Sequence, residues 1–132
     1  MKHVTLQIRT GAHTELNDIT SQVAKAVSES GVQDGRCTVY IPHTTCGVTI
    51  NENADPSVKK DILKELNKVI PLNDNYAHME GNSAAHIKSS LMGFSVTIPV
   101  GGGRMMLGTW QGIYLCEFDG PRSRKAVVSV GD

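Results

Sequence analysis

The stretch Arg36-Cys37-Thr38-Val39-Tyr40-Ile41-Pro42-His43-Thr44-Thr45-Cys46-Gly47-Val48-Thr49-Ile50-Asn51-Glu52-Asn53-Ala54-Asp55-Pro56 decides the fold. From Arg36 to Ile41 polar and apolar residues alternate, with Cys37, Val39 and Ile41 on one side, the period of a half-buried strand. Pro42 ends that strand and drops His43-Thr44-Thr45 into the connection. Cys46 to Ile50 reads as a second strand, running out in the polar cluster Asn51-Glu52-Asn53. Asp55-Pro56 then opens a helix, because an acidic N-cap followed by proline at the first helical position satisfies a helix start. Val58, Ile62, Leu66 and Val69 keep the helical period, and Pro71 closes it.

Working outward, Val4 to Ile8 alternates as another strand. A helix follows with Thr20 as N-cap, Val23, Ala26 and Val27 along one face, and Gly31 as its stop. A polar loop from Asn73 to Glu80 carries Tyr76 and His78. Asn82 or Ser83 caps a short third helix holding Ala84, His86, Ile87 and Leu91, ended by Gly93. Beyond Ser95 the chain reads as strands and tight turns. Val96 and Ile98 alternate, Gly101-Gly102-Gly103 turns, Leu107 to Phe118 is one long extended run, and Asp119-Gly120-Pro121 leads into Lys125 to Val130. Strands outnumber helices without regular interleaving, so the expectation is a single α+β domain rather than a doubly wound α/β fold.

Thirteen basic and thirteen acidic residues cancel over 132 positions. A protein that coats nucleic acid or anionic membrane carries a basic excess, so neither partner is expected. No apolar run approaches the ~20 residues of a membrane-spanning helix, and no signal-peptide run opens the chain. Three cysteines, Cys37, Cys46 and Cys116, are an odd count with no CxxC pair, which predicts free thiols in a reducing cytoplasm. Cys37 and Cys116 read as small buried side chains.

Five histidines are present, and His3 and His13 read as surface residues. His43, His78 and His86 each fall at an element boundary, where a rigid scaffold holds binding groups. Three neutral imidazoles with an open position suit a zinc-like ion. Protonated, the same groups clamp a phosphate. Plain hydrogen bonding to backbone is the third account, and spacing alone favours it, since no HxH or HExxH brings two ligands together.

Gly101-Gly102-Gly103-Arg104 is not a nucleotide loop, because Met106 stands where GxGxxG needs glycine and no helix follows. Leu107-Gly108-Thr109-Trp110-Gln111-Gly112 places the only tryptophan between glycines, either as core or as the wall of a pocket for a flat heterocycle. Asn51, Glu52 and Asp55 form an acidic, amide-rich patch. It can orient a ligating imidazole, hold Mg²⁺ with substrate phosphates, or supply a general base, although for Asp55 the helix cap is a sufficient role. Arg122, Arg124 and Lys125 read as a solvated charge run, with phosphate binding as the alternative.

Three blocks in one register resemble the YjbQ-like family of small bacterial and archaeal proteins. They are Pro42-His43-Thr44-Thr45 with Thr49 to Pro56; Tyr76-Ala77-His78, Glu80-Gly81-Asn82 and His86 to Leu91; and Gly103-Arg104 with Gly108-Thr109-Trp110-Gln111-Gly112-Ile113. The resemblance implies two sheets packed as a sandwich with helices alongside, a homotrimer, and one polar site gathering His43, His78 and His86 for a metal or sulfate. It also implies a secondary thiamine-phosphate synthase activity, in which pyrimidine diphosphate and thiazole phosphate precursors are joined. On that basis His43, Glu52, Asp55 and His86 are the expected catalytic groups. Thr44, Asn51, Asn82, Arg104, Thr109, Trp110, Gln111 and Arg122 are the expected contacts to small phosphorylated metabolites. The cofactor is a divalent metal, zinc-like at the histidines or Mg²⁺ on the substrate phosphates. The expected mechanism stabilises a departing pyrophosphate and orients the two reactants. The alternatives are a metal-dependent hydrolase with Glu52 or Asp55 as base, and a non-catalytic trimeric binder of metal or metabolite.

Overall fold

The computed structural model describes all 132 residues. Eight strands and three helices follow in the order β1 (Lys2–Arg9), β2 (Glu15–Asp18), α1 (Thr20–Ser30), β3 (Gly35–Tyr40), β4 (Cys46–Glu52), α2 (Pro56–Val69), α3 (Ser83–Met92), β5 (Ser95–Gly101), β6 (Arg104–Met105), β7 (Gln111–Glu117) and β8 (Ser123–Gly131). They form a five-stranded sheet, β1-β8-β3-β5-β6, and a three-stranded sheet, β2-β7-β4. All strand pairs are antiparallel. The α+β class read from the element order, and the two sheets that the family resemblance implied, are what the chain adopts.

β7 explains the layering. Its residues are buried from Gly112 to Glu117 because both faces are covered. Ile113 and Leu115 point between the sheets, into a cluster with Val39, Val48, Val128 and the α1 residues Val23, Ala26 and Val27. Tyr114 and Cys116 point the other way, against Ala85 of α3 and the partly buried Ile62, Leu63 and Leu66 of α2. A strand covered on both sides loses the alternation of a half-buried one and reads as a continuous apolar run. Each fully buried aliphatic side chain here contributes on the order of 1.5–3 kcal/mol.

Local signals behaved as the chemistry predicts at several element ends. Asp55 accepts from the Ser57 N–H at 2.9 Å with Pro56 at the first helical position. Gly31 closes α1 in the left-handed region at φ 73°. Several boundaries differ from the sequence reading, and β4 runs on through Asn51 and Glu52. Thr20 is the first residue of α1 rather than its cap, and its N–H donates to Asp18 Oδ1 at 3.0 Å. The run from Leu107 is not one extended strand. It turns at Gly108–Trp110, where the Gly108 N–H donates to Gln111 Oε1 at 2.8 Å, and only Gln111 onward is β7. β2 went unread because four residues, Glu-Leu-Asn-Asp, are too few to display a period. No helix is long and apolar enough to cross a membrane.

Candidate functional site

The pairing of β4 with β7 ends at Cys46 opposite Glu117. The residues just outside that pair, Thr44-Thr45 and Asp119, therefore leave the sheet side by side, and the Phe118 N–H still reaches the Thr45 carbonyl at 3.3 Å. α3 seats against β4, and its N-terminal end brings Asn82 and His86 to the same place. The result is an open pocket of about 290 Å³ lined by Thr44, Thr45, His78, Glu80, Asn82, His86, Asp119 and Arg122, without one apolar residue.

The His78 and His86 rings meet edge to face, with centroids 5.6 Å apart and planes at 89°. His78 Nε2 lies 3.9 Å from Glu80 Oε1. Asp119 Oδ2 accepts from Asn82 Nδ2 at 2.9 Å and from Arg122 Nη2 at 3.1 Å, while Arg122 Nε donates to the Asp119 carbonyl at 2.8 Å. Asn82 is the N-cap residue of α3, yet its side chain does not cap the helix. Its amide is turned to Asp119, and its Oδ1 is buried with no hydrogen-bond partner. The Ala85 N–H turns back to the Asn82 carbonyl at 3.1 Å, which leaves the Ser83 and Ala84 N–H groups without a partner at the positive end of the helix dipole. Chemically, the pocket presents hydroxyl, imidazole, guanidinium and amide donors beside two carboxylates that accept, and paired imidazoles are competent at proton transfer.

The sequence-level trio divides. His43 faces away from this pocket: its Nε2 accepts the Lys125 N–H at 2.9 Å, which places the ring proton on Nδ1. Burial, and then the positive charge of Arg124, hold its pKa below the ordinary histidine value. An imidazole whose Nε2 lone pair is already used does not join His78 and His86 around an ion. No group of three or more histidine, cysteine, aspartate or glutamate side chains converges to hold a metal, so the expected metal site is corrected.

The remaining expected residues lie elsewhere in the chain. Asn51, Glu52 and Asp55 sit at or beyond the far end of β4, about 20 Å from Cys46 at the rise per residue of a strand. There Glu52 pairs with Gln111, its carbonyl accepts from the Tyr114 hydroxyl at 3.0 Å, and the Trp110 carbonyl accepts from the Asn53 N–H at 3.0 Å. Trp110 is 62% exposed, so it is neither core nor the wall of an enclosed pocket. Thr109 is exposed in the same turn. Arg104 lines a different and larger cavity of about 570 Å³ between α1 and the β5–β6 hairpin, with Thr20, Gln33 and Met105. Within one chain, Glu52 and Asp55 are therefore not positioned to act on anything held by His78 and His86.

Two residues under the pocket were misread or missed. Arg124 was grouped with the solvated charges, but it is 3% exposed and pairs with Glu117, which is fully buried. Arg124 Nε donates to Glu117 Oε1 at 2.8 Å, and Nη2 reaches Glu117 Oε2, the Thr45 hydroxyl at 2.9 Å and the Thr45 carbonyl at 3.2 Å. Burial pushes the Glu117 carboxyl up, but hydrogen bonds from Arg124, the Asp119 N–H and Thr10 outweigh it, and the pKa lies below the usual range. The period of β8 carried the signal: Arg124 shares parity with the inward Ala126, Val128 and Val130.

The family model described as "UPF0047 protein YjbQ-like" matches residues 4–132. UPF0047 protein MJ1081 of Methanocaldococcus jannaschii is 57% identical over 124 residues, covering 94% of this chain and 90% of the relative. UPF0047 protein YugU of Bacillus subtilis is 52% identical, with 96% of each covered. Among solved structures, an uncharacterized conserved protein of the YjbQ/UPF0047 family from Clostridium acetobutylicum superposes with a TM-score of 0.95 at 55% identity, covering 97% of this chain and 99% of that one. A protein of unknown function from Sulfolobus solfataricus reaches 0.93 at 32% identity, covering 96% and 94%. None of these names carries thiamine synthesis, transferase activity or metal binding. With the metal ligands dispersed as well, the expected thiamine-phosphate synthase activity and the metal-based alternatives are corrected rather than retained.

Proposed function

Because the chain belongs to the UPF0047 YjbQ-like family, whose matched members carry no named reaction, function has to be read from its own site, and we propose that the pocket at the N-terminus of α3 binds the phosphate end of a small phosphorylated metabolite. One observation carries the reading: an all-polar pocket opens on a helix N-terminus that its own N-cap side chain leaves uncapped. A phosphate there lies at the positive helix end, beside Arg122, the Thr44 hydroxyl and the imidazoles of His78 and His86 that line the pocket. Asp119 and Glu80 suit hydroxyl or amine donors on the organic half, and Asp119's charge is offset by Arg122.

The test is a ³¹P NMR or calorimetric titration with inorganic phosphate and a panel of phosphomonoesters. Saturable binding is expected, and Arg122→Met should weaken it by about 10-fold or more, the range for losing a charge-assisted hydrogen bond. Absence of saturation at millimolar phosphomonoester, or full affinity in Arg122→Met, refutes the reading. Three free buried cysteines support a reducing, cytoplasmic setting for this activity. Assembly into a homotrimer is proposed with it, and light scattering on the eluted protein is the measurement.

A further inference from the structure

We infer that the buried Glu117–Arg124 pair is a positioning element for the polar pocket: it holds Thr45, Asp119 and Arg122 in register where the sheets have ended. An apolar pair of similar volume generally serves a core as well as a buried ion pair does, so filling space does not by itself account for two charges at these positions. The hydrogen bonds the pair makes beyond itself do. Arg124 Nη2 binds both the hydroxyl and the carbonyl of Thr45. Glu117 Oε2 accepts from the Asp119 N–H at 3.0 Å. Glu117 Oε1 accepts from the Thr10 hydroxyl at 2.7 Å, and Thr10 Oγ1 accepts in turn from the Arg122 N–H at 2.9 Å.

These contacts fall where regular pairing stops. Cys46–Glu117 is the last rung between β4 and β7, and Arg9–Ser123 is the last between β1 and β8. Two further backbone bonds, Phe118 N–H to Thr45 and Thr10 N–H to Arg122, carry the chains slightly past those rungs. The ion pair then ties the three outgoing segments to one rigid point. Arginine is specifically suited, because its planar fork engages both carboxylate oxygens and still reaches Thr45, whereas an ammonium has no such fixed geometry. The pair touches no ligand in this arrangement; it acts through the wall residues.

The experiment compares wild type with Glu117→Gln/Arg124→Met and with Arg124→Lys, reading amide hydrogen exchange at Phe118, whose N–H donates to the Thr45 carbonyl, and at Asp119, against Val128 as an internal core reference. Inorganic phosphate affinity is measured alongside. The expected result is at least 10-fold faster exchange at Phe118 and Asp119 with Val128 unchanged, and at least 10-fold weaker phosphate binding, in both variants. Exchange at Phe118 and Asp119 and affinity within two-fold of wild type overturn the inference, as does exchange that rises equally at all three amides. If the double variant does not fold, Arg124→Lys decides, because it keeps the charge and removes only the fork. The binding arm rests on the phosphate reading, and the exchange arm does not. Wild type that fails to bind phosphate sinks that reading while the exchange comparison still judges the strut.

Discussion

Replacing Gly47 by alanine tests how α3, and with it Asn82 and His86, is seated on the three-stranded sheet. A Cβ at position 47 would stand 2.8 Å from the Gly93 carbonyl oxygen, 3.2 Å from Met92 Cβ and 3.4 Å from the Ser89 carbonyl oxygen. The Gly93 oxygen cannot simply retreat, because it accepts the Val48 N–H at 3.1 Å. The end of α3 must therefore move by about half an ångström, at an overpacking cost of roughly 1–3 kcal/mol, with the Val48 bond weakened on top. Alanine in place of glycine within a strand returns roughly 0.5–1 kcal/mol. The net expectation is about 1–3 kcal/mol of destabilisation. At about 2.1 cal/mol/K per residue, the unfolding entropy of the whole chain converts this to a melting temperature lower by about 4–10 °C. Thermal melts followed by circular dichroism give the number. Gly11→Ala is the control, since its new Cβ meets only the flexible Glu15 carboxylate at 3.7 Å, and its stability should change by less than about 0.5 kcal/mol. A Gly47→Ala protein melting within about 2 °C of wild type, or a Gly11→Ala protein falling equally far, refutes the packing argument.

Three other outcomes follow from the buried groups. Glu117→Gln leaves Arg124 charged and unpaired in the interior and should cost about 3–5 kcal/mol, with Glu117→Gln/Arg124→Met recovering most of it; a double variant no more stable than the single one speaks against the account. Both His43 and Glu117 bind protons less readily folded than unfolded. Their stabilisation is therefore complete above the unfolded values of about 6.5 and 4.3, and is lost as pH falls through each lower folded value. Urea midpoints should decline in two stages on acidification, with His43→Gln removing the upper one, and a flat profile down to pH 3 would be inconsistent. Burial raises the Cys37 thiol to about 11 and Cys46 to about 12, and raises Cys116 as well. All three should resist iodoacetamide in the native protein and react within minutes in urea, as peptide mass mapping will record.

The sequence by itself determined the elements whose signals are local. Alternation over Arg36–Ile41 and Cys46–Ile50, the Asp55-Pro56 start of α2 and the Gly31 stop of α1 each depend on residues a few positions apart, and each is found within about two residues of its expected bounds. The same reasoning stopped at Glu15–Asp18, too short for a period, and at Leu107–Trp110, where a glutamine side chain folds back on the Gly108 N–H. Of the expected site, the sequence listed residues from both ends of β4 together. Only tertiary structure decided which converge. His78, His86, Asn82 and Arg122 meet because β4, β7 and α3 end together, while His43 turns to Lys125 and Glu52 lies a strand's length away. The Glu117–Arg124 strut was half legible, since strand parity turned Arg124 inward, but its partner was assigned by a turn and a sheet edge. Periodicity reports which face a side chain takes; it carries no information about what that face will meet.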